Sequence, residues 1–119
     1  MITKEQKIID LVYDKLPIKA FPERAVLGKL RESFPNIEVK LDTIFEIHRM
    51  IDGGNEGGIL CDICPLDFDI KNVETAFLCS ITHFRIKVGE PHFTELEKYR
   101  KDRIKKLQKQ NNPFSFFRR

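Results

Sequence analysis

Tryptophan is absent from this 119-residue chain, and tyrosine and methionine occur twice each, whereas phenylalanine occurs ten times. A core of Phe, Ile and Leu is therefore expected. No apolar run approaches the roughly 20 residues needed to cross a bilayer, and the opening Met1-Ile2-Thr3-Lys4-Glu5 lacks the basic start and apolar stretch of a signal peptide. No membrane span is expected, and the default compartment is cytoplasmic. Cysteine is scarce, at Cys61, Cys64 and Cys79. An odd number without an export signal favours free thiols or a metal over a disulfide frame. Internal repeats and low-complexity segments are lacking. The glycine-rich Gly53 to Gly58 lacks the Lys-Ser/Thr that closes a phosphate loop, so a flexible turn is expected there. Glu38-Val39-Lys40 has the E-x-K spelling of metal-dependent nucleases, but the companion Asp on a preceding strand is missing, which leaves an outward-facing ion pair. With no catalytic constellation in view, no enzyme activity is expected.

What the chain does have is a change of sign. Up to Glu97 there are 12 Lys/Arg against 17 Asp/Glu, a net of −5; from Lys98 onward there are 9 against Asp102 alone, a net of +8. A basic arm on an acidic body serves a polyanion, an anionic surface, or an acidic patch on the chain itself or on a twin. The length suits one small domain. Residues 1–90 form its expected body, and residues 91–119 a basic helix with a Phe-rich tail.

Thr3 and Gln6 have the spacing of a capping box, and Ile8, Ile9, Val12 and Leu16 follow at helical intervals, so a first helix ends at Pro17. A second helix opens at Phe21-Pro22, carries Val26, Leu27, Leu30 and Phe34 on one face, and closes at Pro35. Ile37, Val39 and Leu41 alternate as a short strand. From there Leu41, Ile44, Phe45, His48 and Ile51 make a helical stripe, so Asp42 is read as the cap of a third helix over 43–52, stopped by Gly53 and Gly54. The β-prone runs Gly58 to Cys64 and Ala76 to Val88 flank a polar stretch and predict a hairpin with a long tip. Pro91 to Gln110 is helical by composition.

The expected fold class is thus α+β: three N-terminal helices, a β-hairpin wing and a long C-terminal helix. This order, with the stretch Leu41 to Ile51 running through glycines into Ile59-Leu60, resembles a winged helix-turn-helix domain. The resemblance implies that the third helix enters the major groove with Arg49, flanked by Lys40. The wing carries Asp62, Asp67, Asp69 and Glu74, the wrong sign for phosphates. Nucleic-acid affinity is therefore assigned mainly to the last helix, through Lys98, Arg100, Lys101, Arg103, Lys105, Lys106 and Lys109, which spread around most of its circumference. A solvated helix end carrying cations for its dipole is the plainer reading of the same run.

Cys61, Cys64, Cys79 and His83 spell C-x2-C-x14-C-x3-H, a four-ligand set of the type zinc prefers. On a straight strand Cys61 and Cys64 point to opposite faces, so zinc needs a knuckle at Asp62-Ile63. Otherwise the cysteines are small buried hydrophobes. Two functions follow: a nucleic-acid-binding regulatory or accessory protein, with DNA or RNA as partner, or a protein-interaction or self-association module that docks Phe114, Phe116 and Phe117 onto a partner or a second copy.

Overall fold

The structure, a computed structural model, describes residues 2–66 and 77–111. Thr3 caps helix α1, Lys4–Val12, by accepting a hydrogen bond from the Gln6 amide at 2.9 Å, and its own hydroxyl donates to Asp52. Ile9 and Val12, three apart, give α1 its buried stripe against the sheet.

The architecture is α+β, but the expected arrangement of three N-terminal helices and a hairpin wing is overturned. The described residues contain one five-stranded antiparallel sheet, curled into a half-barrel, in the order β4-β3-β2-β1-β5. Strand β1 is Ile18–Pro22, β2 is Phe45–Asp52, β3 is Ile59–Pro65, β4 is Phe77–Ser80 and β5 is Phe84–Ile86. Helix α2, Leu27–Ser33, continues a 3₁₀ turn at Arg24–Val26, a single turn α3 covers Gly54–Gly57, and α4 covers Phe93–Asn111. No described helix is long and apolar enough to cross a membrane.

Strand β2 stands where a helix was expected, and β1 fills the junction between the first two expected helices and takes the Phe21-Pro22 start of the second. Ile18, Ala20 and Pro22 are buried and alternate with Lys19 and Phe21, the period of a strand with one covered face. Pro22 is tolerated because Ala20 already faces Phe45, the first residue of β2. Lys19 bonds toward β5 through its carbonyl, so Pro22 would direct an amide toward β2, beyond the point where β2 begins. The expected second helix is present but starts at Arg24, and Val26, Leu30 and Phe34 are its buried residues.

The expected third helix is strand β2, and the expected strand over 37–41 is loop. Pairing with β3 runs Ile47 to Ile63 and then Arg49 to Asp62, so His48 is the extra residue of a β-bulge. The bulge converts an inward period of two into Phe45, Ile47, Met50, and intervals of two and three imitate a helical stripe. The expected hairpin survives only in part, as β3 paired with β4. Its second arm, read as one run from Ala76 to Val88, is broken at Ile81–His83, after which β5 pairs with β1 on the far edge of the sheet. Its tip, including Asp67, Asp69 and Glu74, lies outside the described residues.

Inward residues of all five strands share one core with Ile9 and Val12 of α1, Leu30 of α2, and Leu96 and Tyr99 of α4. Phe45 sits at its centre, 5.8 Å from the Phe84 ring edge-to-face and 6.1 Å from Phe34, which in turn lies 6.1 Å from Phe77. Gly58 has φ 63°, and a Cβ there would stand 2.9 Å from both the Tyr99 hydroxyl and Arg103 Nε. That close approach and the left-handed backbone both require glycine.

Helix α4 is fixed to the sheet by charge as well as by Leu96. The Glu97 carboxylate accepts from the Ile86 amide of edge strand β5 at 3.1 Å and from Arg100 Nε at 2.8 Å; Arg100 Nη1 donates to the Thr82 carbonyl at 3.1 Å. Arg100 Nη2 also lies 3.9 Å from Glu23. The Arg100 side chain is only 7% exposed, and removing one member of a buried pair strands the other. Arg100→Ala should therefore lower unfolding free energy by about 3 kcal/mol, whereas Lys101→Ala, on the exposed side, should change it by less than about 0.5 kcal/mol, both measured by urea denaturation.

Candidate functional site

The cations of α4 divide by chemistry. Arg100 and Arg103 are each 6% exposed, and Arg103 Nη2 donates to the Glu56 carbonyl of the α3 turn. These two residues, expected to grip phosphates, instead face inward and hold the helix to the body. Lys98, Lys101, Lys105, Lys106 and Lys109 are all exposed. At 100° per residue, Lys98, Lys101, Lys105 and Lys109 fall within about 80° of one another, on the side opposite Leu96, Tyr99, Arg100 and Arg103. The charge that the sequence spreads around the helix is thus a stripe, about 17 Å long at 1.5 Å per residue, with Lys106 on its flank.

The stripe is not purely positive. Lys98 Nζ bonds Asp102 at 3.0 Å, and that bond holds the Asp102 carboxyl below its usual range. The side chains of Lys101, Lys105 and Lys106 form no ion pair or hydrogen bond among the described residues. Beside the stripe, Lys4 of α1 lies 5.5 Å over the Tyr99 ring, and a groove of 320 Å³ between α1 and α4 is lined by Lys4, Lys7 and Lys98 together with Glu95 and Asp102, and by Ile8, Leu11 and Tyr99. Tyr99 donates to Glu5 at 2.8 Å; burial first and then that carboxylate push its phenol above the ordinary value.

The other two expected nucleic-acid residues lie on separate elements. Arg49 is on the outward face of β2, 3.6 Å from Asp62 across the β2/β3 pair. Lys40 is in the loop before β2 and pairs with Glu38 at 3.4 Å, so E-x-K is an exposed ion pair on a loop rather than on a strand. Phe114, Phe116 and Phe117 lie outside the described residues.

The zinc set is not assembled. Cys61 points inward opposite Cys79, whereas Cys64 is on the other face of β3 opposite Glu46; the strand has no knuckle at Asp62-Ile63. His83 closes a 3₁₀ turn, Ile81–His83, rather than sharing a strand face with Cys79. No group of three His, Cys, Asp or Glu side chains suited to a metal occurs among the described residues. Burial pushes the Cys61 thiol well up, the Cys79 thiol up to about 12 and, with nearby Glu46, the Cys64 thiol up, so all three stay protonated at neutral pH.

His83 is held below its ordinary value of 6.5 by burial and then by Lys29. Because the folded state resists the proton that the unfolded chain accepts, stability should fall as pH drops from about 6.5 to the lower folded value, and level off beneath it. Thermal midpoints between pH 7 and 5 should show this loss, and His83→Gln should flatten it. Comparison of the chain with protein-family models, curated proteins and solved structures finds no match.

Proposed function

We propose that this protein binds nucleic acid, as a regulatory or accessory factor, through the lysine stripe of α4. The observation that carries the reading is the separation of cation types on one helix. Arginines that a body needs are inside, bonded to Glu97, Thr82 and Glu56, and the lysines left outside line one face, with Lys101, Lys105 and Lys106 unpaired among the described residues. Ammonium groups on flexible stems act as point charges toward phosphate, whereas base-edge readout favours the planar guanidinium fork. The binding is accordingly blind to sequence and driven by counterion release.

Four or five lysine–phosphate contacts predict a log–log salt slope of about −4 on duplex DNA, or a loss of a few hundredfold between 50 and 200 mM salt. Replacing Lys101, Lys105 and Lys106 together by Ala should shallow that slope by about 2.7 while leaving the thermal midpoint in place. Fluorescence anisotropy against random duplex and single-stranded RNA reads both the slope and the preferred polymer. An unchanged slope in the triple variant, or no binding by either protein, would end the proposal. Capture of a protein partner by the unmodified chain in its stead would favour the interaction-module reading.

A further inference from the structure

Gly28 is the one glycine of α2, and nothing in the fold asks for it. Its backbone is right-handed, and a Cβ built there meets no atom within 4 Å. A glycine within a helix weakens it relative to alanine, so the position carries a local cost with no conformational or packing return inside the protein. Residues that break a local rule without internal compensation mark places where something outside the fold sets the requirement.

What Gly28 faces is an open cleft of 640 Å³ between the α2 segment and the Lys40–Asp42 turn. Arg24 and Arg31 stand four residues before and three after Gly28, on the same helical face, with Leu27 between them. Across the cleft are Lys40 and the partly exposed Leu41. Three cations thus surround two leucines and a bare stretch of helix, against the carboxylate of Asp42 and that of Glu38, which is exposed and lies 3.4 Å from Lys40. The Arg24 side chain has no ion pair or hydrogen bond among the described residues.

The walls are held in place without a ligand. Arg31 Nε donates to the Val39 carbonyl at 3.0 Å, and Arg85 Nη2 donates to the Leu41 carbonyl at 2.8 Å. The Thr43 hydroxyl accepts from the Lys40 amide at 2.8 Å, and the Thr43 amide donates to the Lys40 carbonyl at 3.1 Å. Small-molecule pockets combine apolar surface with a few fixed polar groups; here the apolar part is Leu27, Gly28 and Leu41, and the charged groups outnumber it, as suits a charged ligand.

We infer that this cleft binds a small organic anion, a phosphate or carboxylate head on an apolar body, with the head between Arg24, Arg31 and Lys40 and the body over Gly28, Leu27 and Leu41. The site is separate from the lysine stripe and does not rest on the nucleic-acid reading. Guanidinium forks suit both kinds of head, so the experiment separates them.

Amide shifts of the ¹⁵N-labelled full chain are followed on titration with octyl phosphate, octanoate, inorganic phosphate and octanol. Shifts at Leu27, Gly28 and Leu41 with either amphiphile, well below the concentrations at which phosphate or octanol alone produce them, are the expected result, and the stronger amphiphile identifies the head. Gly28→Leu should abolish these shifts by filling the cleft with a better helix former, and Arg24→Gln should weaken binding about tenfold. The Lys101, Lys105 and Lys106 triple variant should bind both amphiphiles as the unmodified chain does, even if it fails against nucleic acid. The inference is overturned by the absence of shifts at the cleft with both amphiphiles, by equal potency of octanol or phosphate alone, or by undiminished binding in Gly28→Leu.

Discussion

The chain passes from one edge of its sheet to the other through the three residues Ile81–His83, and the rest of the structure follows from that connection. Five strands laid flat at about 4.8 Å spacing would hold the edge strands roughly 19 Å apart. From Ser80 to Phe84 a fully extended chain reaches at most about 14 Å, and a 3₁₀ turn reaches less. The sheet therefore has to curl until β4 and β5 approach. The bulge at His48, near the middle of β2, bends the strand that must curve. The hollow this makes is filled by large rings, Phe45 and Phe84 from the strands and Phe34 from the end of α2, with Ile81 of the connection itself fully buried.

Such a connection brings backbone polar groups into partly covered space, where each needs a partner. Arg100 supplies one to the Thr82 carbonyl, His83 gives its carbonyl to the Glu23 amide, and Glu97 takes the Ile86 amide of the short edge strand. Covering an edge strand with a helix also removes its open ladder from outside contact. A guanidinium suits this place because its fixed fork serves Glu97 and a carbonyl together, which an ammonium on a flexible stem does less well. The basic helix is consequently two-sided: arginine is structural and lysine faces solvent.

Features carried by local chemistry were legible in the sequence. The Thr3 cap and the α2 stripe of Val26, Leu30 and Phe34 each rest on neighbours within a few residues. Strands β1 and β2 were not legible, because their identity depends on partners far along the chain. Phe21-Pro22 reads as a helix start until Pro22 is seen to lie past the point where β2 begins. A bulged strand shows apolar intervals that only its register explains. The same limit governs the site. The count of cations in α4 was plain, but which of them face inward depends on Glu97, the Thr82 carbonyl and the α3 turn, none of which the charge pattern identifies. The open space beside Gly28 is likewise visible only in the fold.

The half-barrel interior is filled by side chains, so recognition has to occur on the outside, and the outside is uneven in charge. Arg49 and Arg85 on the outer sheet face are neutralised by Asp62 and Glu23, at 3.6 and 3.0 Å. Pairs of this kind add little stability where they are exposed, yet they leave little local field for a charged partner to sense. The lysine stripe and Arg24 are different, since their charges lie beside too few carboxylates to cancel them. Uncompensated like charges raise the energy of the folded state slightly through mutual repulsion. An anion arriving at either place would relieve that cost.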